Sequence, residues 1–216
     1  GSEPAPDRTM GEKEQLTAYR HIAPAIEIMD STLRDGEQTS GVSFLPHEKL
    51  MIARKLLLDV GVDRVEVASA RVSDGERDAV RMICNFAERS GLLDHIEVLG
   101  FVDGCQSVDW ISDCGGKVIN LLAKGSRRHC EQQLGKPLQE HIDDISPVVH
   151  YADKRGMPVN LYLEASSNGM KDSPDYVYGL MDRLVDTPIS RFMLPDTLGI
   201  VNTLRCVEFV RKMLHR

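Results

Sequence analysis

Residues 30–38 read Asp-Ser-Thr-Leu-Arg-Asp-Gly-Glu-Gln, and they directly follow the apolar run Ala25-Ile26-Glu27-Ile28-Met29. The apolar run predicts a buried strand, so two carboxylates, a guanidinium and an amide crowd its carboxyl end. In α/β folds, sites are built at the carboxyl ends of parallel strands. A turn at this point does not need Arg34 next to Asp35. Arg-Asp pairs are common on solvated surfaces, but the whole string favours a functional site.

The rest of the chain alternates short apolar strands with helices. Strands are predicted at about 26–32, 64–68, 96–102, 117–123, 158–165 and 191–194, and helices at 46–60, 74–90, a short stretch after 107, 138–155, 174–185 and 203–214. A leading helix is predicted over 9–21, where Thr9 and Glu12 have the spacing of a capping box. This alternation predicts a parallel sheet covered on both faces. Because there is no Gly-x-Gly-x-x-Gly after strand one and no phosphate-loop lysine motif, a (β/α) TIM barrel is favoured over a nucleotide-binding doubly wound sheet.

Composition is that of one ordinary domain. Of the 216 residues, 42% are hydrophobic, enough for one sizeable core. We expect residues 1–21 to be a tag and flexible lead-in with the possible helix, and residues 22–216 to form the barrel domain. No apolar run approaches the roughly 18 residues of a membrane span, and no signal peptide is visible, so no membrane partner is predicted. The five cysteines without Cys-x-x-Cys suit a reducing cytoplasm, and a net charge of −7 disfavours nucleic acid as a partner.

Two motifs resemble one known family. Residues 30–38 look like the signature of the metal-dependent acyl-transfer and lyase barrels, the DRE-TIM metallolyases. That family contains 2-isopropylmalate, homocitrate and citramalate synthases and hydroxymethylglutaryl-CoA (HMG-CoA) lyase, and the resemblance is greatest to 2-isopropylmalate synthase. Residues 194–199, Leu-Pro-Asp-Thr-Leu-Gly, are similar to the family's Pro-Asp-Thr-x-Gly string at the end of its sixth strand. The resemblance runs from about residue 26 to 216. It implies a TIM barrel, a divalent metal ion (Mn, Mg or Zn), acetyl-CoA as co-substrate and a homodimer.

The resemblance also implies a Claisen-type condensation of acetyl-CoA with a 2-oxo acid. A metal chelated by the oxo acid would act as Lewis acid and template, and Asp35 would be one of its ligands. Arg34 would lie beside the ketone oxygen and stabilise the alkoxide that develops there. Gln38 would hydrogen-bond substrate or orient Asp35, or it is simply a turn residue that contacts backbone.

Three further polar residues at or near strand ends are candidates for the site. Glu164 ends strand five, where the family places a carboxylate facing the substrate, and burial of a glutamate there is costly without a task or a partner. Thr197 would hydrogen-bond the substrate carboxylate, although its position also suits a helix cap or a turn. Glu66, between two valines in strand two, either points into the barrel mouth to meet substrate or pairs with a neighbouring arginine.

A basic turn follows strand four. Lys124, Arg127 and Arg128 surround a glycine there, and this arrangement would hold the phosphates of CoA. A solvated basic turn is the alternative interpretation.

The number of units leaves the function open. Six βα units are found, whereas a TIM barrel needs eight, and the family's seventh strand carries a His-x-His pair that the seven histidines do not form. We therefore expect a fragment that binds metal weakly and is inactive alone. The residues after Glu164 also depart from the synthases' Asp-Ala-x-Arg, which leaves the oxo acid undefined. Three functions follow: an acyltransferase, a carbon–carbon lyase or aldolase on the same barrel, or a non-catalytic remnant that binds a ligand or partner.

Overall fold

The computed structural model describes residues 26–215, which form an incomplete barrel of parallel strands. Its six strands are β1 (Met29–Asp30), β2 (Arg64–Ser69), β3 (Ile96–Phe101), β4 (Val118–Lys124), β5 (Val159–Glu164) and β6 (Ile189–Met193). They lie side by side in chain order, and every neighbouring pair is parallel. This is the order of a (β/α) barrel, whereas a doubly wound sheet reverses its strand order near the middle. The predicted TIM barrel with six units is confirmed.

Helices connect the strands. They are α1 (Pro46–Lys55), α2 (Asp74–Arg89), α3 (Gln106–Asp113), α4 (Arg127–His129), α5 (Leu138–Lys154), α6 (Ser166–Asp172), α7 (Pro174–Leu184) and α8 (Thr203–Leu214). α1 continues into a π-helical turn that ends at the left-handed Gly61, as its sequence predicts. None of the helices between residues 26 and 215 is long and apolar enough to cross a membrane. The helix predicted over 9–21 lies outside the described residues.

Strand β1 is shorter and more exposed than predicted. Only Met29 and Asp30 pair with β2, whereas the apolar run predicts a buried strand over 26–32. Ile26 and Ile28 are 90% and 61% exposed, so that part of the prediction is wrong. β1 is an edge strand in the described residues. The chain leaves it at Thr32, whose amide and hydroxyl both donate to the Asp30 carboxylate at 2.9 and 3.0 Å.

Helix α6 is a feature that the sequence did not predict. Its residues Ser-Ser-Asn-Gly are poor helix formers, and it begins after Ala165, whose φ of +59° is left-handed. Two contacts fix it against the loop that follows β6. The Ser166 hydroxyl donates to the Pro195 carbonyl at 3.0 Å, and the Ser167 hydroxyl donates to Asp196 at 2.5 Å. Tertiary contacts therefore form this helix against its weak local propensity.

The concave face of the sheet, inside the barrel, is polar at its centre. Asn120 on β4 donates to Glu66 on β2 at 2.6 Å, and Asn160 on β5 donates to Glu97 on β3 at 3.2 Å. Both contacts skip an intervening strand, so these side chains meet across the hollow of the curved sheet. All four residues are at most 1% exposed. The opposite face of the same strands is apolar and packs against the helices.

Candidate functional site

An arginine–glutamate pair lies at the carboxyl-terminal mouth of the barrel. The Nε atom of Arg34, in the loop after β1, donates to Glu66, and its Nη1 atom contacts Asp35 Oδ1 at 3.0 Å. The Arg34 side chain is 15% exposed, Glu66 is fully buried and Asp35 is 64% exposed. Glu66 faces the barrel interior and pairs with Arg34, which it supports from a buried position. A contact of Glu66 with substrate stays a prediction.

Glu66 is held in turn by a buried amide network. The Nδ2 atom of Asn120 donates to Glu66 at 2.6 Å and to Glu97 at 2.9 Å. The Oδ1 atom of Asn120 accepts from Asn160 at 2.9 Å. Arg64 Nη1 pairs with Glu97 at 2.8 Å. Burial raises the pKa of Glu66, and the nearby Arg34 guanidinium offsets only part of that increase. Two buried carboxylates thus share one amide.

Sequence reasoning missed Glu97, Asn120 and Asn160, although a signal for them exists. Each is a single polar residue between two apolar ones in a buried strand, in the triplets Ile-Glu-Val, Ile-Asn-Leu and Val-Asn-Leu. The same pattern surrounds Glu66. Because alternate residues of a strand face one side, such triplets on successive strands predict a polar cluster on one face.

A buried lysine fixes the loop that contains the motif of residues 30–38. Lys49 on α1 is 1% exposed, and its ammonium contacts Glu37 at 2.5 Å, Glu76 at 2.6 Å and the Val67 carbonyl at 3.2 Å. Glu37 also accepts from the Phe44 amide at 2.8 Å. Burial raises the pKa of Glu37, but the Lys49 ammonium and the Phe44 amide outweigh burial, so the pKa is lowered overall. At Glu76 burial has the larger effect, and the pKa is raised. Glu37 therefore fixes the loop that carries Arg34 and Asp35.

A second ion pair lies across the ends of β4 and β5. Lys124 and Glu164 are register partners, and the Lys124 ammonium donates to the Glu164 carboxylate. Their side chains are 15% and 26% exposed. Tyr162, two residues before Glu164 and on the same face of β5, contacts Arg34, and burial together with the Glu66 charge raises its pKa. Tyr162 thus lies between the two ion pairs. Lys124 is engaged with Glu164 and not grouped with the exposed Arg127 and Arg128.

Thr197 lies beside the end of β5. Its Oγ1 accepts from the Ala165 amide at 2.9 Å, which leaves the hydroxyl hydrogen for a ligand. Thr197 is not a helix cap, since Asn202 caps α8. The turn is closed by Asp196, which accepts from the amides of residues 200 and 201 at 3.0 and 2.9 Å. The Ser167 hydroxyl, followed by these amides, lowers the pKa of Asp196.

Two clefts open beside these residues. One, of about 340 Å³, is lined by Arg34 and the exposed Gln38, together with residues 42–43, 69 and 72–73. The other, of about 270 Å³, is lined by Arg128, His129 and Asn168. The Asn168 Oδ1 atom is buried without a hydrogen-bond partner, and Arg128 Nε donates to Gln132 at 3.2 Å. The structure thus brings Arg34, Asp35 and Glu66 together in one ion-paired group and Lys124 and Glu164 in another. Arg128 lines a separate cleft, and Arg127 is exposed beside it in the sequence.

The described residues do not by themselves fit a metal ion. Within residues 26–215, no three His, Cys, Asp or Glu side chains cluster as metal ligands. Asp35, the predicted ligand, is exposed and pairs with Arg34. Catalytic metal sites typically use about three protein ligands, so one carboxylate is too few.

The chain is similar in sequence to known synthases. The chain is 33% identical to the 2-isopropylmalate synthase of Methanocaldococcus jannaschii over 184 residues, which are 84% of this chain and 33% of that protein. It is 31% identical to the (R)-citramalate synthase of the same organism over 189 residues, 87% of this chain and 36% of that protein. The chain thus spans about a third of each relative.

A solved structure matches the fold. The HMG-CoA lyase of Bacillus subtilis superposes with a TM-score of 0.69 at 20% identity, covering 90% of this chain and 65% of that one. At that identity the match concerns the fold alone. The sequence also matches the HMGL-like family over residues 25–216. Together with the two motifs, this match shows that the chain belongs to the HMGL-like family, the DRE-TIM metallolyases.

Proposed function

We propose that the natural protein containing this chain is an acyltransferase that condenses acetyl-CoA with a 2-oxo acid, as the name 2-isopropylmalate synthase of its relative describes. The observation that carries the proposal is the Arg34–Glu66 pair at the barrel mouth. Family membership and the two synthase relatives support it. All five thiols are free, which suits a reducing compartment, and we propose the cytoplasm. A homodimer is proposed from the family resemblance alone.

Arg34 would stabilise the oxygen that gains charge. Attack of the acetyl carbon on the ketone turns its oxygen into an alkoxide, and a fixed cation beside that oxygen lowers the barrier. Two of the five guanidinium N–H groups are engaged by Glu66 and Asp35, which leaves others for the substrate. Because Glu66 is buried, we propose that it acts through Arg34, which it holds in place.

The other residues would bind and orient the substrates. Thr197 would donate its hydroxyl hydrogen to the substrate carboxylate, and Gln38 would contact substrate from the first cleft. Glu164, with Lys124, would bring one negative and one positive group to the reacting centre. Arg127 and Arg128 would hold the CoA phosphates near the second cleft. A metal ion bound through Asp35 would need further ligands that the described residues do not supply.

A carbon–carbon lyase is the second candidate. Residues 165–170 read Ala-Ser-Ser-Asn-Gly-Met in place of the synthases' acid and arginine, and Ser166 and Ser167 are used to hold α6 in place. The same Arg34 would then stabilise the alkoxide of a hydroxy acid as its carbon–carbon bond breaks. A protein that only binds ligand is the third candidate, favoured by the lack of a three-ligand cluster within residues 26–215.

Product analysis separates the three. The natural gene product is incubated with Mn²⁺, Mg²⁺ or Zn²⁺ in turn. Acetyl-CoA is offered with 2-oxoisovalerate, pyruvate or 2-oxoglutarate, while thiol release and product mass are measured. In parallel, hydroxy acids and hydroxyacyl-CoA thioesters are tested for cleavage to acetyl-CoA or pyruvate. A condensation product supports the acyltransferase, and cleavage without condensation contradicts it. Ligand binding without either reaction would leave the binding-only function.

A further inference from the structure

Strand β4 extends beyond its neighbour β3 at the mouth of the barrel. The last partners of these strands are Phe101 and Leu122, whereas β4 continues to Lys124. The N–H and C=O groups of one strand residue point toward the same neighbouring strand, and those of the next residue point toward the other one. Gly125 faces β5, because its N–H donates to the Glu164 carbonyl at 2.7 Å. The backbone groups of Lys124 therefore point to the side where β3 has ended, and they need partners from elsewhere.

Two buried side chains from the outer helices supply those partners. The Lys124 amide donates to His141 Nε2, on α5, at 3.0 Å. The Tyr176 hydroxyl, on α7, donates to the Lys124 carbonyl at 2.9 Å. Both side chains are only 2% exposed. Helices on the outside of the barrel thus hold the strand residue whose side chain reaches the inside.

We propose that His141 and Tyr176 are positioning residues that fix the Lys124–Glu164 pair in the barrel mouth. The proposal rests on the proposed function in one respect, namely that this pair faces the substrate. Neither residue touches substrate, because each bonds the Lys124 backbone from the outer layer. Their two hydrogen bonds to the Lys124 backbone replace the ones that a longer β3 would have made. They fix the backbone at Lys124, so that its side chain points toward Glu164.

The His141 contact requires a neutral imidazole. Nε2 accepts the Lys124 N–H, so this ring nitrogen carries no proton and a protonated ring would place two donors against each other. Burial is the main reason that the pKa of His141 is lowered to about 4, with Asp144 on its own helix opposing and Lys124 and Lys136 assisting. Lys136 is itself paired with Asp144 at 2.5 Å. The contact therefore stays formed across the neutral pH range.

Three variants of the natural gene product test the proposal. His141→Leu removes the acceptor, His141→Gln restores an acceptor oxygen, and Tyr176→Phe removes only the hydroxyl. Matched controls are His150→Gln, an exposed residue of the same helix, and Tyr151→Phe, whose hydroxyl donates to Asp109 at 2.8 Å away from the mouth. The first readout is hydrogen exchange of the Lys124 amide in ¹⁵N-lysine-labelled protein. The second is kcat and KM for the proposed condensation.

We expect Lys124 exchange to be about tenfold faster in His141→Leu and close to wild type in His141→Gln, since one hydrogen bond is worth about a factor of ten. We also expect kcat to fall about tenfold in His141→Leu and Tyr176→Phe, to recover in His141→Gln and to be unchanged in both controls. Unchanged exchange in His141→Leu, or equal effects of Leu and Gln, would overturn the proposal. If His141→Leu does not fold, the comparison of Tyr176→Phe with Tyr151→Phe decides. If the wild type does not condense, the proposed function fails and the exchange readout alone decides on positioning.

Discussion

The guanidinium of Arg34 donates to a Glu66 carboxylate that is fully buried inside the barrel. An ion pair of this kind joins the surface to the interior, because Arg34 is in a loop and Glu66 is fixed on β2. A loop cation without a buried partner would be free to move and to pair with solvent anions. The pair therefore fixes the position of the Arg34 guanidinium in the loop after β1.

Asn120 bridges the two buried carboxylates, and we expect that its side chain must be neutral. Asn120→Asp would place a third carboxylate between Glu66 and Glu97 with almost no change of shape. We expect a loss of about 3 to 5 kcal/mol in the free energy of unfolding at pH 7, because an uncompensated charge is buried. The pKa of the introduced carboxyl would be raised in the folded state, so the loss should grow as pH rises above about 4 and shrink below it.

Urea unfolding at several pH values measures this effect. Asn85→Asp, the same change at an exposed position of α2, is the control and should cost less than about 0.5 kcal/mol. An Asn120→Asp protein as stable as the control at pH 7 would show that the interior is wetter than the contacts indicate.

We expect the charge of Lys49 to be required for stability, because it compensates two glutamates. Lys49→Met keeps most of the side-chain volume but leaves Glu37 and Glu76 without their cation, and we expect a loss of about 3 kcal/mol. In the triple variant with Glu37→Gln and Glu76→Gln, no charge remains to be compensated, so most of that stability should return. Thermal unfolding of the single and triple variants tests this. A triple variant less stable than Lys49→Met would contradict the electrostatic explanation.

The lowered pKa of His141 predicts that stability depends on pH. The unfolded histidine titrates at 6.5 and the folded one at about 4. Between these values the unfolded chain binds the proton and the folded protein does not, so stability present above pH 6.5 is lost as pH falls toward 4. The loss from pH 7 to pH 5 should be about 2 kcal/mol. His141→Gln should remove this part of the pH dependence, and His150→Gln should retain it.

Gly169 is required by a close backbone contact. A Cβ atom at this position would lie 2.0 Å from the Gly125 carbonyl oxygen, where β4 ends. Gly169→Ala should therefore cost about 3 kcal/mol or more, or displace α6. Gly179→Ala, in α7, is the matched control, because its Cβ would meet only a Leu138 methyl at 3.4 Å and helix propensity favours alanine. Equal stability of the two variants would contradict the contact.

The regular elements of the fold were predictable from periodicity and end signals. α1 begins at Pro46 and its π-helical continuation ends at Gly61, and the last helix has the predicted bounds Thr203–Leu214, because proline, glycine and Asn202 mark these ends locally. The candidate site residues Arg34, Asp35 and Glu164 were predicted for a similar reason. They lie in motifs at strand ends, where position in the chain also gives position in the barrel.

Features that depend on distant contacts were not predictable in the same way. Helix α6 forms because Ser166 and Ser167 bond to residues about 29 positions later in the chain, and no local pattern contains that information. The Lys49 anchor likewise needs Glu37 and Glu76 from two other segments. Ile26 and Ile28 were predicted to be buried because they are apolar, but burial of an edge strand depends on what lies beyond the edge.

The role of Arg34 is tested most directly by measuring condensation in Arg34→Met and Arg34→Lys proteins, with acetyl-CoA and the 2-oxo acid that the wild type accepts. If Arg34 stabilises the alkoxide, kcat should fall about a hundredfold or more in Arg34→Met and recover only in part in Arg34→Lys. Arg89→Lys, an exposed change on α2, should have no effect. Wild-type kcat in Arg34→Met, with only KM raised, would contradict stabilisation of the alkoxide by Arg34.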